Sequence, residues 1–147
     1  MSATLERLET ARRTGDFNHF VDYIPYMKFL GVRVEQRDGA LVGRMPAADH
    51  LIGNPSIPAL HGGTLGALLE SSAQFELLYR AETVVLPKTV TITIDYLRSG
   101  KPQETFVKST IVKQGRRVTT VQARAWQEDE NQPIATATII LLILGIE

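Results

Sequence analysis

Apolar and polar positions follow two periods along this chain, and each change of period marks an element. Between residues 63 and 81, Leu65, Leu68, Leu69, Ser72, Phe75 and Tyr79 recur three and four apart, and Leu77 and Leu78 widen the stripe. That spacing predicts a helix buried over much of its circumference. A buried helix needs elements around it, and period-two segments on either side supply them. Residues 31–36 and 40–45 alternate around Arg37-Asp38-Gly39, a turn signal, and predict a hairpin closed by Pro46. Residues 88–97 alternate most sharply, with Val90, Ile92, Ile94 and Tyr96 on one face and Thr89, Thr91, Thr93 and Asp95 on the other. Ser99-Gly100-Lys101-Pro102 then turns the chain into a strand over 105–113, Gln114-Gly115-Arg116 leads to another over 118–127, and 128–132 forms a polar turn. The final run, 134–144, is nearly continuous apolar sequence, suited to a central strand and well short of the roughly 20 residues of a transmembrane helix. Two strands, one helix and four strands in that order predict an α+β architecture.

The flanks add two segments. Residues 1–15 carry Glu6, Arg7, Glu9, Arg12 and Arg13 among Leu5, Leu8 and Ala11, the pattern of a short amphipathic helix ended near Gly15. Residues 16–27 are rich in aromatics, Phe17, Phe20, Tyr23 and Tyr26, and are broken by Pro25. Packing against the core is one role for them, and lining an apolar pocket is the other. Together, residues 1–27 read as a helical extension. Between the first hairpin and the helix, 47–60 reads as a loop with Asn54, Pro55 and Pro58, long enough to suggest a function.

With 147 residues, 44% of them apolar, the chain has material for one sizeable core, and the whole of 1–147 reads as one domain. Sixteen basic and sixteen acidic residues balance, so overall charge gives no case for nucleic acid or an acidic membrane surface. There is no cysteine, hence no disulfide, Cys-based zinc site or thiol nucleophile. His19, His50 and His61 lack the spacing of metal ligands. The absence of cysteine and of an apolar signal core suggests the cytoplasm.

The chemistry concentrates in His61-Gly62-Gly63 and the helix it opens. Gly63, Gly66, Ala67, Glu70 and Gln74 form a strip of small residues ending in a carboxylate and an amide. The first turn of a helix carries unpaired N–H groups and roughly half a positive charge, and glycine at 62 and 63 leaves them open to an oxyanion. Gly62 and Glu70 are eight residues apart, so a continuous helix separates them by roughly 12 Å along its axis. They cannot touch one reacting carbonyl within one subunit. If both serve one reaction, Gly62 of one subunit must meet Glu70 of another, as antiparallel helices across a two-fold axis allow.

A His-Gly-Gly turn entering a long helix, an acid nine residues after the histidine, a preceding loop with Asn and a later strand ending Asp95-Tyr96-Leu97-Arg98 resemble the hotdog-fold acyl-CoA thioesterases, in particular the PaaI-like, phenylacetic-acid-degradation-type branch. The resemblance spans about residues 31–144. It implies a long helix wrapped by a curved antiparallel sheet, a homodimer with a continuous double-width sheet, frequent pairing into homotetramers, and sites at the subunit interface. It also implies hydrolysis of a small aryl- or short/medium-chain acyl-CoA, with coenzyme A part of the substrate and no separate cofactor.

Thioester hydrolysis builds negative charge on the carbonyl oxygen, which a fixed N–H stabilises. The Gly62 N–H is the first candidate for that donor, with Gly63 its neighbour. Glu70 would then act as general base or as nucleophile. His61 would hold the turn by hydrogen bonding, or transfer a proton directly. Gln74 would orient water, touch the acyl group or sit as an interface amide. The family places an amide six or seven residues before the histidine; Asn54 lies seven before, with Pro55 at six, so it either positions substrate or only forms a turn. Arg98 with Lys101, and Arg116 with Arg117, are candidates for the nucleotide phosphates or are solvated charges. Asp95 would brace the sheet. Two other functions fit a hotdog domain: a non-catalytic acyl-CoA-binding or regulatory module, and a dehydratase or hydratase, which the His61-Gly62-Gly63 motif fits poorly.

Overall fold

The computed structural model describes residues 2–81 and 86–144. Met1, the start of the expected first helix, lies outside them. Helix α1 (Ala3–Thr14) begins at Ser2, whose Oγ accepts from Leu5 N–H, and ends at Gly15 in the left-handed conformation, φ 77°. The aromatic segment is more helical than its proline suggested. Pro25 opens α3 (Pro25–Leu30) rather than breaking a segment, because a first helical position needs no N–H; a short α2 (Asn18–Val21) precedes it.

Strands β1 (Arg33–Arg37) and β2 (Ala40–Met45) pair antiparallel, with Arg37 opposite Ala40. The two residues between them, Asp38 at φ 50° and Gly39 at φ 78°, are both left-handed, as a two-residue turn of this hand requires. The expected loop over 47–60 contains structure of its own: a 3-10 turn (Asp49–Leu51) and a small hairpin of β3 (Ile52–Asn54) and β4 (Ala59–Leu60). Its two strands are too short to register as alternation.

Helix α4 (Gly62–Arg80) is one unbroken helix, and its Leu65, Leu68, Leu69, Ala73, Phe75, Leu77 and Leu78 are buried. It lies across an antiparallel sheet in the order β1-β2-β6-β7-β8-β5, formed with β5 (Leu86–Tyr96), β6 (Thr105–Gln114), β7 (Val118–Trp126) and β8 (Ala135–Leu144). A helix wrapped by such a sheet is the hotdog fold. The last apolar run takes an interior place as β8, paired on both sides. The sharply alternating strand, β5, is instead an edge. A bulge between Thr89 and Thr91 interrupts its alternation, so Ile92 and Ile94 pack on the core while Val90 is exposed.

Two ties anchor α4. Arg12 of α1 donates to the carbonyls of Leu78 at 2.9 Å and Ala81 at 3.0 Å, filling acceptors that the helix end leaves unpaired. Glu76, buried to 1%, accepts from Leu41 N–H at 3.0 Å and from Arg80 Nε at 2.7 Å, while Arg80 also donates to the Gly39 carbonyl. The first hairpin is thereby fastened to the helix. Phe17 and Phe20 pack with Phe75 at centroid distances of 6.0 Å, which makes this part of the extension core. No helix of the described residues is long and apolar enough to cross a membrane.

Candidate active site

His61 caps α4 from an extended conformation, and its Nδ1 accepts from Gly63 N–H at 2.9 Å. That nitrogen is therefore unprotonated, and a neutral ring carries its proton on Nε2. The His61 carbonyl accepts from Thr64 N–H at 3.0 Å and from the Thr64 hydroxyl at 2.6 Å. The Gly62 carbonyl accepts from the Tyr96 hydroxyl at 2.9 Å. These bonds use the N–H of Gly63. Among the described residues, none engages the N–H of Gly62. The turn thus offers one outward donor at the positive end of a helix, at the position the sequence marks first.

From that donor a ridge at spacing four runs along α4: Gly62, Gly66, Glu70 and Gln74. It lies against β5 in the opposite direction. A side chain at Gly62 would meet the Tyr96 ring, one at Gly66 would meet Ile94, and Gln74 Nε2 donates to Thr89 Oγ1 at 3.0 Å. The glycines allow this close approach, which explains the strip of small residues. Glu70 sits on the ridge half-buried, and among the described residues no hydrogen bond or ion pair engages its carboxylate. Because α4 is continuous, Gly62 and Glu70 of one chain stay roughly 12 Å apart along the helix axis.

The remaining candidates fall at both ends of the sheet. Arg98 shares a recess with Gly62, Leu65 and Tyr96, and also lines the neighbouring one with Lys101; its guanidinium donates to Gln132 Oε1 at 3.3 Å. Arg116 and Arg117 lie on the β6–β7 turn at the opposite end, about nine residues, or roughly 30 Å, along β7 from the level of Arg98. Within one chain the two basic pairs are not together. Asn54 Oδ1 accepts from Ser56 N–H at 3.0 Å, closing a turn. Asp95 lies on the sheet face away from α4, in a groove with Lys108 and Arg124. There the Arg124 guanidinium holds the nearby Glu130 carboxyl below its ordinary value of 4.5. Among the described residues no three His, Asp or Glu side chains converge as a metal set.

Two residues of this region escaped the sequence reading as functional candidates. Tyr96 entered as a strand position and as part of the Asp95-Tyr96-Leu97-Arg98 ending but was given no role of its own, although its place two before Arg98, in the strand that follows the helix, was a usable signal. Thr64 was not singled out, and the habit of Thr to bond a backbone carbonyl three or four residues earlier was the available signal.

A family model described as the acyl-CoA thioesterase N-terminal domain matches residues 53–142. Among curated relatives, the medium/long-chain acyl-CoA thioesterase YigI of Salmonella typhimurium is 25% identical over 160 residues, covering 97% of this chain and 99% of the relative. A solved structure from Chromobacterium violaceum superposes with a TM-score of 0.78 at 35% identity, covering 97% of this chain and 99% of that one. A phenylacetic acid degradation-related protein from Ralstonia eutropha JMP134 superposes with a TM-score of 0.70 at 24% identity over 81% of this chain and 90% of its own. The family match spans the helix with its His-Gly-Gly turn and the four long strands after it, which carry the features described above. The chain belongs to the hotdog-fold acyl-CoA thioesterase family, and it is a thioester hydrolase.

Proposed function

We propose that the chain hydrolyses the thioester of a small aryl- or short/medium-chain acyl-CoA at a site shared by two subunits. The Gly62 N–H of one subunit polarises the carbonyl and Glu70 of the other supplies the carboxylate. The observation that carries this reading is a donor and a half-buried carboxylate on one helix ridge, neither engaged among the described residues and too far apart to meet within a chain. Two copies of α4 running antiparallel across a two-fold axis would bring them together twice. Strand β5 supports that arrangement: it ends the sheet, and Val90, Tyr96 and Leu97 are exposed at 60%, 55% and 52%. Pairing β5 with its copy would extend the sheet across both subunits. The same reading expects dimers that pair further into tetramers.

The chemistry is then direct. Water, or Glu70 itself, attacks the thioester carbonyl carbon, and the oxygen takes up negative charge opposite the Gly62 N–H. As base, Glu70 accepts the water proton; collapse expels the CoA thiolate, which takes a proton, leaving a carboxylic acid and free CoA. As nucleophile, Glu70 forms a mixed anhydride that water then cleaves. A single turnover in oxygen-18 water separates these routes, since only the anhydride route leaves label in Glu70. His61 acts as the brace of the turn, and Arg98, which lines the recess that Gly62 also lines, would take an anionic part of CoA. In the dimer, Arg116 and Arg117 of the second subunit would come toward that end.

Release of free CoA thiol from acetyl-, hexanoyl-, decanoyl-, phenylacetyl- and benzoyl-CoA tests this reading. The medium-chain members lie where the expected range overlaps the medium/long-chain activity for which the YigI relative is named. Wild type should turn over at least one of them, and Glu70→Gln should lose about 100-fold or more in kcat. Near-normal turnover by the variant rejects the role of Glu70.

A further inference from the structure

We propose that Tyr96 is a positioning residue for the thioester carbonyl site, acting through the backbone of Gly62; the inference rests on the donor role given to Gly62 above. The turn contains two peptide units. The first, His61 to Gly62, carries the donor N–H, and its carbonyl is fixed by both hydrogen bonds from Thr64. The second, Gly62 to Gly63, is held at its N–H by His61 Nδ1 at 2.9 Å and at its carbonyl by the Tyr96 hydroxyl at 2.9 Å. Consecutive glycines are the backbone with the least intrinsic restriction, and a donor stabilises an oxyanion only when its direction is set beforehand. The His61 backbone N–H donates to the Leu51 carbonyl at 2.8 Å and ties the residue before the glycines to the preceding loop. The His61 ring is an exposed side chain of the turn and does not tie the Gly62–Gly63 peptide to another element. Tyr96 does, because it stands on β5, hydrogen-bonded along its length to β8.

Two further observations agree. A Cβ built on Gly62 would come within 3.3 Å of two ring carbons and the hydroxyl oxygen of Tyr96, so that side chain closes one side of the donor residue. The hydroxyl, the Gly62–Gly63 peptide and His61 Nδ1 also form a hydrogen-bonded chain, in which each bond polarises the next. Tyr96 is 55% exposed and lines the recess at Gly62, so its hydroxyl is not there to satisfy a core group.

Tyr96→Phe removes the hydroxyl and keeps the ring. The expected result is a fall in kcat of about tenfold or more with KM changed less than about threefold, and a melting temperature within a few degrees of wild type. A second readout does not need turnover: the infrared carbonyl band of a ketone analogue of the preferred acyl-CoA, with CH2 in place of sulfur. Binding to wild type should lower that band, and in Tyr96→Phe it should move back toward the free value. An unchanged kcat and band, or a rise in KM alone, overturns the role of Tyr96 and leaves that of Glu70 standing if Glu70→Gln is inactive. Loss of kcat in Tyr96→Phe with an active Glu70→Gln would keep the carbonyl site and discard the carboxylate. No lowering of the band in wild type would discard both Tyr96 and the Gly62 donor.

Discussion

Two carboxylates on one helix, Glu70 and Glu76, have opposite surroundings, and their substitutions should separate accordingly. Glu76 accepts a backbone N–H from Leu41 and a guanidinium N–H from Arg80 in the interior. Glu76→Ala leaves the Leu41 N–H buried without an acceptor and should cost about 2 kcal/mol in urea-induced unfolding. Glu70→Gln should change the same measurement by less than about 1 kcal/mol, because no described partner is lost. Equal stability losses would contradict the assignment of structure to one and chemistry to the other. Glu70 stood out in the sequence as a candidate because glycines precede it and apolar residues adjoin it. Glu76 did not, since a helical carboxylate ordinarily faces water, and its burial depends on an N–H that lies 35 residues away in the chain. Its only local trace is Arg80 four residues on.

At the scale of elements, periodicity located nearly every long segment, and tertiary packing decided what it could not. The helix, the hairpin around Asp38-Gly39 and the apolar β8 appear where their patterns lie. The clean alternation of 88–97 gave no hint that β5 is an edge with a bulge, because alternation reports a two-faced strand and not how many neighbours it has. The aromatic segment offered two readings, and contacts with α4 decide for packing at Phe17 and Phe20. Phe17, 5% exposed, meets Phe75 and Tyr79 edge-on. Phe17→Ala should lower stability by about 3 kcal/mol while leaving the order of preferred acyl-CoA substrates unchanged. A changed order of preference, with stability intact, would return this segment to the acyl pocket.

The whole molecule poses the question that one chain leaves to its copy. Helix α4 holds Gly62 and Glu70 apart, the two groups to which the proposal gives the carbonyl chemistry, and β5 leaves an edge beside that helix. Sequence spacing alone gave the separation of Gly62 and Glu70 within one chain, since it needs only the rise of a helix, and the unbroken α4 keeps that separation. The two basic pairs were a harder case. Arg98 with Lys101 and Arg116 with Arg117 read alike along the chain, yet they stand at opposite ends of the sheet. Only a two-fold partner would bring them toward one ligand.

The most direct measurement of the shared site is subunit complementation. Glu70→Ala lacks the carboxylate, and Gly62→Val crowds the Tyr96 ring and disturbs the donor. Each variant alone should be nearly inactive. A heterodimer of the two contains one site with both groups intact, so a one-to-one mixture after subunit exchange should recover about a quarter of wild-type activity. No recovery, with exchange confirmed by differently tagged subunits, would contradict a site built from Gly62 of one subunit and Glu70 of the other.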